Sequence, residues 1–495
     1  MKLYDSCKGI DFRMSFLTKI KGLLTKFKHS IPLYLLLLTS SFVFAQDGAQ
    51  SYKSYCAGCH GNQLEGSSAS ALIKDHWIQG GDKTSILNSI KNGVPGTEMI
   101  PWDGVLAEED IESLADFIIQ MQGSPVHLTT DHLATYIETK HYQLKVEKLV
   151  TGGWTEPWGI EFVNRNLALV TGKNGELHYL ENGRLDHQKI TGLPVIYGTG
   201  GLMDLALDPE YHKNGWIYLA FSHNSKSDSS KDAPAMTKVV RGKLKDHQWT
   251  EQQDLFQVHD SLQVTGGTRW GCRFLFDKEG YLYFTIGDMQ AAIQSGRDPQ
   301  ILTRPQGKIY RINPDGSIPG DNPLYGKKDV LQAIYCWGTR NVQGLAQHPE
   351  TGEIYFSDHG PMGGDELNRL KKGANYGWPV ITYGINYDGT VITNETHKEG
   401  MEQPLTYWTP SIAVCAVEFV TGNAFPQWQH HLLVTALKFQ ELRRLVIEGD
   451  EVLEQEILLK DYGRVRDVKI GPDDAIYVLT NGPDTLLRIT PGSAD

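Results

Sequence analysis

The sequence is short of positive charge, and this shortage excludes one broad class of function. Its 495 residues include 47 Lys and Arg against 59 Asp and Glu, which gives a formal net charge of −12 at pH 7. Proteins that bind nucleic acid present clustered basic side chains to the phosphates, whereas an acidic surface repels them. We therefore expect no nucleic-acid partner. At this length the chain has room for more than one domain.

The apolar run near the N-terminus is short for a membrane span: it covers the 15 residues 31–45, whereas a span needs roughly 20 apolar residues. Seven Lys and Arg and only two Asp precede this run, which ends in Val43-Phe44-Ala45. Such a pattern is typical of a secretory signal peptide. We predict removal of 1–45 on export to the periplasm or the medium, which would change the net charge from −12 to −17. A membrane anchor is the alternative, and Met14 could be the true start.

Cysteine is scarce too, with six in the whole chain. Cys7 lies in the predicted signal peptide, and Cys56 and Cys59 belong to the motif described next. Cys272, Cys336 and Cys415 form an odd set for an exported protein, so at least one thiol is expected to be buried and unpaired.

The strongest motif is Cys56-Ala57-Gly58-Cys59-His60. Two thiols at this spacing can add to the vinyl groups of one haem, and the adjacent His then faces the iron. Met99, in a loop rich in Pro and Gly, offers a sixth ligand, and apolar residues at 111, 114, 115 and 118 predict an amphipathic helix over the haem. A zinc site with Met99 as a plain core residue is the alternative. Residues 47–122 resemble a class I c-type cytochrome, which implies one covalent haem c and transfer of single electrons.

A repeated phrase organises the rest of the chain. Residues 123–146 show no strong period and are interpreted as a linker that packs across the second domain. From 147 to 495, two apolar, half-buried strands joined by a turn of Asp, Pro and Gly recur six times. Six copies about 45–70 residues apart predict an all-β six-bladed propeller, preceded by the small all-α cytochrome domain. A β-sandwich is the alternative, but it rarely repeats one phrase six times.

The stretch 338–379 concentrates the chemistry of the second domain. It contains Arg340 and Asn341, then Asp358-His359-Gly360-Pro361, an acidic pair at Asp365 and Glu366, and Tyr376. Arginine offers a fork of donors to carboxylates, while carboxylates and free carbonyls suit calcium. The stretch therefore predicts a site for an anionic organic ligand with a hard cation. A solvated loop between strands is the alternative.

Three phrases together carry a family resemblance: residues 307–323, beginning Gly-Lys-Ile-Tyr-Arg311; the stretch 338–379; and Arg464-Val-Arg466-Asp-Val. From about 147 to 490 the chain resembles the soluble pyrroloquinoline quinone (PQQ)-dependent glucose/sorbosone dehydrogenases, also called aldose sugar dehydrogenases. The resemblance implies a tricarboxylate quinone on the propeller axis beside a calcium ion. It implies these quinone-binding residues: Arg340, Asn341, Lys438, Arg464 and Arg466.

The same matching implies two calcium sites. Gly360 and Pro361 would lend backbone carbonyls to the calcium at the cofactor. Asp365, Glu366 and the carbonyl of Tyr376 resemble a second, structural calcium site. Each of these residues has an ordinary alternative as a surface charge or turn former.

Two positions depart from the family pattern. The family's general base is a His four residues before an Arg, and that place holds Arg269 in Arg269-Trp-Gly-Cys-Arg273. Guanidinium cannot accept a proton near neutral pH. Thr199 stands where the family usually has a Gln that contacts the quinone. Either His359 or Asp358 acts as the base, or the substrate differs, or catalysis has been lost; Arg269 could instead anchor an acidic sugar or stabilise a reduced quinone oxygen.

Two hypotheses of function follow. The first is an exported quinohaemoprotein that oxidises a sugar-like alcohol or hemiacetal at PQQ and passes electrons through its haem to a cytochrome or respiratory acceptor. The second is a non-catalytic propeller that binds a carbohydrate or a partner and carries a cytochrome. Retention of five cofactor-facing groups favours the first. A calcium-stabilised lactonase on the same scaffold would require activity without quinone.

Overall fold

The computed structural model describes residues 48–60, 64, 69, 72, 80–94, 97, 99–122, 134–226, 230, 233–289 and 298–492. The predicted signal peptide, 1–45, with Cys7, lies outside the described residues. No helix in these ranges combines the length and apolarity that a membrane span needs.

The N-terminal part is helical, as the sequence predicts. Its helices are α1 (Gly48–Tyr55), α2 (Ala57–His60), α3 (Lys83–Asn92) and α4 (Glu108–Gln122). Asp82 caps α3 by accepting a hydrogen bond from the backbone N of Ser85 at 3.1 Å. The predicted apolar face of α4 is buried at Ile111, Leu114, Ala115 and Ile118.

Helices α1 and α4 cross at close range. Gly48 makes this approach possible, because a Cβ atom at that position would lie 2.1 Å from the Ser113 carbonyl oxygen. One turn further along, the rings of Tyr52 and Phe117 pack with centroids 5.3 Å apart. The crossing therefore encloses an apolar core that includes Cys56.

The second part is a six-bladed β-propeller. The chain enters it through β1 (Thr135–Glu138) and β2 (Gln143–Thr151). The first three blades are β3 (Pro157–Asn164), β4 (Leu167–Gly172), β5 (Leu177–Glu181) and β6 (Arg184–Leu185); β7 (Leu202–Leu207), β8 (Ile217–His223), β9 (Met236–Lys245) and β10 (Gln248–Phe256); and β11 (Phe274–Phe276), β12 (Leu282–Ile286), β13 (Lys308–Ile312) and β14 (Ile334–Trp337).

The last three blades follow in chain order. They are β15 (Val342–Gln347), β16 (Ile354–Asp358), β17 (Asp365–Arg369) and β18 (Thr406–Trp408); β19 (Val414–Phe419), β20 (Leu432–Ala436), β21 (Glu441–Glu448) and β22 (Glu451–Lys460); and β23 (Arg464–Ile470), β24 (Ile476–Asn481) and β25 (Thr485–Pro491). A short helix, Tyr211–Asn214, and three single-turn 3-10 helices lie in the connections: Asp260–Leu262, Asp298–Gln300 and Pro426–Trp428.

Blade six joins the two ends of the propeller. Its strand order is β1-β2-β25-β24-β23, and β2 pairs antiparallel with β25 from Leu144 opposite Pro491 to Thr151 opposite Thr485. Part of the interval predicted as a linker, 123–146, is therefore strand: β1 and the start of β2 belong to the propeller, while 123–133 lie outside the described residues.

The middle strands are buried on both faces. Every residue of β12, β20 and β24 is buried, because each blade packs between two neighbours. The expectation of half-buried, alternating strands is thus wrong for these strands, although the blade count is correct. Cys272, Cys336 and Cys415 are all buried and free, which confirms the expectation of an unpaired thiol.

A buried ion network ties several blades together near the axis. Arg273 Nη1 lies 3.1 Å from Asp204 Oδ1 and 2.9 Å from Asp467 Oδ1, and its Nε donates to the Gln343 carbonyl at 3.0 Å. These partners come from blades two, six and four. The network positions the inner strand ends on which the candidate site is built.

Candidate functional site

The candidate residues lie at one end of the inner strands. In each blade the first strand begins where the second ends, because the two are antiparallel. Arg340 and Asn341 immediately precede β15, Asp358 ends β16, and Arg464 begins β23. Loops of blades four and six thus supply the residues that the sequence places far apart.

Asp358 holds the turn that presents Arg340. Its Oδ2 accepts a hydrogen bond from the backbone N of Arg340 at 2.8 Å, and its Oδ1 accepts one from the backbone N of Asn341 at 2.6 Å. Burial raises the pKa of Asp358 to about 6, against the effect of these two N–H groups. Because both oxygens are engaged with backbone, Asp358 is better suited to a structural role than to that of the predicted base.

Arg340 is a buried cation without a carboxylate partner in the described chain. The residue is 2% exposed, and its Nη1 donates to the carbonyls of His359 and Gly360 at 2.5 and 2.6 Å. Its Nε has no hydrogen-bond partner among the residues that the structure describes. The rings of Trp378 and Tyr387 lie 5.5 and 6.0 Å from the guanidinium carbon. A buried cation so placed is costly unless an anion joins it.

Arg466 is a second cation of this kind. It is 6% exposed, with Nε bonded to Asn481 Oδ1 and Nη1 to Gln343 Oε1, both at 3.0 Å. Its guanidinium stacks 4.1 Å above the Trp158 ring. No carboxylate in the described ranges forms an ion pair with it. The site therefore carries excess positive charge, although the whole chain has a net negative charge.

His359 shows how closely these cations converge. Burial, followed by the charges of Arg340, Arg464, Arg466 and Arg269, holds the pKa of His359 well below its usual range. Its Nδ1 is buried and finds no hydrogen-bond partner in the part of the chain that the structure describes. Four guanidinium groups around one neutral imidazole fit a ligand with several carboxylates.

Arg269 joins this group through a carboxylate that the sequence analysis missed. Its Nε forms an ion pair with Asp288 Oδ1 at 2.9 Å. Asp288 Oδ2 accepts the indole N–H of Trp378 at 2.9 Å. Asp288 follows Gly287 directly after β12. A Gly-Asp turn after an apolar strand was the sequence signal that could have indicated a site residue here.

Thr199 braces the segment that carries Arg269. Its hydroxyl donates to the Gly267 carbonyl at 2.5 Å and accepts from the Trp270 indole N–H at 3.2 Å. Its predicted contact with a quinone stays a prediction. Lys438 lies exposed in the turn between β20 and β21, and in the described chain its ammonium has no ion-pair partner. The predicted roles of Asn341, Arg464 and Lys438 toward the quinone are likewise untested.

The predicted calcium residues lie near one another at blade four. Asp365 Oδ1 accepts from the backbone N of Gly360 and from Ser411 Oγ, both at 2.8 Å, and its Oδ2 accepts from the backbone N of Val414 at 3.1 Å. Asp365 thus has a structural role that the sequence analysis missed. Pro361 follows Gly360 in the same buried bend.

Glu366 and Tyr376 complete the second predicted calcium site. Glu366 is the cross-strand partner of Asp358, and burial followed by the charge of Asp358 raises its pKa to about 8. The Tyr376 hydroxyl donates to the Arg369 carbonyl at 2.6 Å, and its ring is buried. No group of three acidic, His or Cys side chains in the described ranges is arranged to hold a metal ion. Calcium stays a prediction.

The Cys56-to-His60 motif spans the junction of α1 and α2. The backbone N atoms of Cys59 and His60 both donate to the Cys56 carbonyl, at 3.1 and 3.0 Å. Cys56 is buried, Cys59 is exposed and both thiols are free. Met99 packs against the core cluster that contains Cys56. This donor set fits a covalently attached haem with His60 and Met99 as its iron ligands.

Comparisons with known proteins assign both parts. The family model of Glucose/Sorbosone dehydrogenase matches residues 154–488, and that of Cytochrome C oxidase, cbb3-type, subunit III matches residues 44–118. Aldose sugar dehydrogenase YliI of Escherichia coli is 36% identical over 344 residues, which are 68% of this chain and 90% of that protein. Quinoprotein glucose dehydrogenase B of Acinetobacter calcoaceticus is 29% identical over 363 residues, 57% of this chain and 73% of that protein.

A solved structure agrees with these matches. The crystal structure of the soluble aldose sugar dehydrogenase from Escherichia coli in the apo-form superposes with a TM-score of 0.64 at 34% sequence identity. The match covers 70% of this chain and 100% of that one.

Proposed function

The chain belongs to the glucose/sorbosone dehydrogenase family and carries a cytochrome c domain, and on this premise we propose that it oxidises a sugar at PQQ and passes the electrons singly through its haem. The buried, unpaired cations Arg340 and Arg466 carry this proposal. Two such groups are costly in a protein that has no anion to place between them. A quinone with three carboxylates supplies that anion.

Different residues of the chain would bind different groups of the cofactor. Arg340, Arg464, Arg466 and Lys438 would bind its carboxylates and ring oxygens, and Asn341 would add an amide donor. When bound, PQQ supplies a two-electron acceptor for the hydride that leaves a hemiacetal or alcohol carbon. Trp378 and Tyr387 border the Arg340 guanidinium and would exclude water from that side.

His359 is the proposed base that takes the substrate's hydroxyl proton. Its buried Nδ1 has no hydrogen-bond partner, while both oxygens of Asp358 are engaged with backbone N–H groups. A base must have a free lone pair within reach of the proton that it accepts. A neutral imidazole can supply such a lone pair, whereas the Arg269 guanidinium cannot.

A calcium ion beside Glu366 and Tyr376 also belongs to the proposal. The Oδ1 atom of Asn368 is buried without a hydrogen-bond donor, two residues from Glu366. An oxygen of this kind beside the half-buried carboxylate of Glu366 suits a hard cation. Gly360 and Pro361 would supply the carbonyl ligands of a second calcium at the cofactor.

The contact between the two domains supports the electron path. Lys53 of α1 forms an ion pair with Asp461 at 2.8 Å, one helical turn before Cys56. The backbone N of Asp461 donates to the Gln440 carbonyl, so the turn before Arg464 and the turn that carries Lys438 lie side by side. The haem-binding motif would thus stand over the loops that bind the quinone.

Export completes the proposal. A cleaved signal peptide at 1–45 would deliver the chain to the periplasm or the medium, where covalent haem attachment occurs and where a cytochrome or respiratory component could accept the electrons.

The decisive experiment follows haem reduction in the purified, haem-loaded protein. PQQ and calcium are added together and separately, and a panel of aldoses is offered while the haem absorption bands are recorded. Reduction that requires both quinone and sugar is expected. Quinone uptake without reduction by any sugar would contradict the dehydrogenase proposal, and absence of uptake would favour the carbohydrate-binding alternative.

A further inference from the structure

Arg269 is held at its inner end only. Its Nε is paired with Asp288, whereas its two terminal amino groups have no hydrogen-bond partner among the described residues, and the side chain is 16% exposed. The ion pair at Nε holds one side of this guanidinium, and the two terminal amino groups remain available as donors. Two such amino groups match the geometry of a carboxylate.

The anchor itself is rigid. Asp288 accepts the Trp378 indole N–H, and its own backbone N donates to the Arg340 carbonyl at 2.7 Å. Arg269 has a φ of 56°, a left-handed conformation that long side chains disfavour. The backbone cannot shift toward Gly287, where even a Cβ atom would lie 1.8 Å from the Arg269 carbonyl oxygen. The Arg269 backbone is thus held in a disfavoured conformation, and this fixes the direction in which its side chain leaves the backbone.

The charges around Arg269 call for an anion. Burial, followed by the charge of Arg340, lowers the pKa of Arg269 to about 10, which leaves it cationic at neutral pH. Asp288 balances one of these two guanidinium groups and not both. The proposed function assigns four cations to the quinone: Arg340, Arg464, Arg466 and Lys438. Arg269 is the remaining cation of the site and is available to bind another anion.

We propose that the two free amino groups of Arg269 bind a carboxylate of the substrate, so that the sugar oxidised is an acidic aldose, a uronic acid with a free hemiacetal. This inference rests on the proposed function. When bound, the quinone would accept the C1–H of the uronic acid as hydride, His359 would take the C1 hydroxyl proton, and the product would be a lactone that keeps its carboxylate.

The test compares sugars that differ only in the carboxylate. With the quinone-loaded protein, D-glucuronate and D-galacturonate are expected to show a KM at least about tenfold below that of D-glucose and D-galactose, the effect of one charge-assisted contact. Arg269→Gln should remove this preference, and Arg269→Lys should restore only part of it. Arg269→His, which restores the family residue, should favour the neutral sugars.

Binding without turnover provides a second readout. Calorimetry measures the affinity for methyl β-D-glucuronide and for methyl β-D-glucoside, neither of which has a free hemiacetal. The glucuronide should bind more tightly, and Arg269→Gln should remove the difference while a spectral titration shows unchanged quinone uptake. Loss of quinone uptake in that variant would overturn the inference, because Arg269 would then serve the cofactor.

The remaining outcomes separate the two proposals. If neutral aldoses reduce the haem as well as uronic acids do, and the glucuronide has no advantage, the inference is overturned and the proposed dehydrogenase stands. If the glucuronide binds through Arg269 but no sugar reduces the haem, the carboxylate site is supported and the dehydrogenase is overturned.

Discussion

Both carboxylate oxygens of Asp358 accept hydrogen bonds from the backbone N atoms of Arg340 and Asn341. The Arg340 guanidinium therefore donates to backbone carbonyl oxygens and not to this carboxylate. An arginine can remain buried in this way only if something else supplies negative charge. At the scale of single residues, the site is thus a set of buried cations, and the ligand proposed for it is an anion.

Replacing Arg340 should remove the ligand more than the fold. Arg340→Gln is expected to weaken PQQ binding about 100-fold or more, since charge-assisted bonds contribute about 1.5–3 kcal/mol each. The midpoint of thermal unfolding without quinone should fall little or rise, because a buried, unpaired charge is lost. Spectral titration measures the affinity.

Arg369 on β17 provides the matched control. Its guanidinium pairs with Glu353 and Asp450 at 3.1 and 3.0 Å, at the other end of the same blade. Arg369→Gln should leave PQQ affinity unchanged. Equal losses in the two variants would mean that blade four is merely destabilised.

His359→Gln tests the proposed base. The rate of haem reduction by sugar should fall about 10²–10⁴-fold, the usual contribution of general base catalysis, while quinone affinity changes little. Stopped-flow absorbance gives the rate and a spectral titration gives the affinity. His348→Gln, in the β15–β16 turn away from the site, is the control. An unchanged rate in His359→Gln would assign the proton to another group.

At the scale of elements, the crossing of α1 and α4 depends on one missing side chain. Gly48→Ala should destabilise the cytochrome domain by about 1–3 kcal/mol through overpacking against Ser113, although Ala favours a helix by about 1 kcal/mol over Gly. Urea unfolding monitored at the haem bands measures this. Gln50→Ala, exposed on the same helix, should stabilise slightly, and the same effect at both positions would contradict the crossing.

Blade five carries a pH dependence. Burial, and then the charge of Arg444, lowers the pKa of His431 from 6.5 to about 4; His141 and His430 act in the same direction, while Glu454 opposes them. Arg444 Nη1 lies 2.9 Å from His431 Nδ1. Because the folded pKa is below the unfolded one, this contribution to stability is present above pH 6.5 and is lost as the pH falls toward 4.

The measurement is the midpoint of urea unfolding of the propeller at pH values from 7 to 4. His431→Gln should show a flatter decline than the parent protein across this window. His212→Gln, in the short helix of blade two, is the control and should keep the parent slope. Parallel curves for all three proteins would assign the pH dependence to other groups.

At the scale of the whole molecule, the Lys53–Asp461 pair is expected to guide electron transfer between the domains. Lys53→Glu should slow reduction of the haem by quinol about tenfold or less, because an exposed ion pair contributes at most about 1 kcal/mol. Reduction of an artificial dye that reaches the propeller directly should be unaffected. Stopped-flow absorbance separates the two rates.

Two variants sharpen this test. The double exchange of Lys53→Glu with Asp461→Lys should recover most of the rate. Lys83→Glu breaks an ion pair with Asp116 inside the cytochrome domain and should leave the rate unchanged. If Lys53→Glu transfers electrons at the parent rate, the contact is not the route.

Local patterns predicted much of this molecule. The cytochrome domain, the six repeated hairpins and the family were all predicted correctly because each depends on residues close together in sequence. The role of β1 and β2 was missed, since β1 pairs with β2 and the other partner of β2, β25, lies at the far end of the propeller sequence. Likewise the Arg269–Asp288–Trp378 chain was missed, because its members come from three segments that only the fold brings together.

The pairing of β2 with β25 determines the order in which the two domains can fold during synthesis. A chain emerging from its N-terminus presents the haem-binding motif and β2 first, whereas β25 appears only when almost every other residue is already made. Until then blade six lacks its central strand, the propeller is not closed, and one edge of β2 has no strand to pair with. The cytochrome part needs no distant strand, so it can fold before the propeller closes.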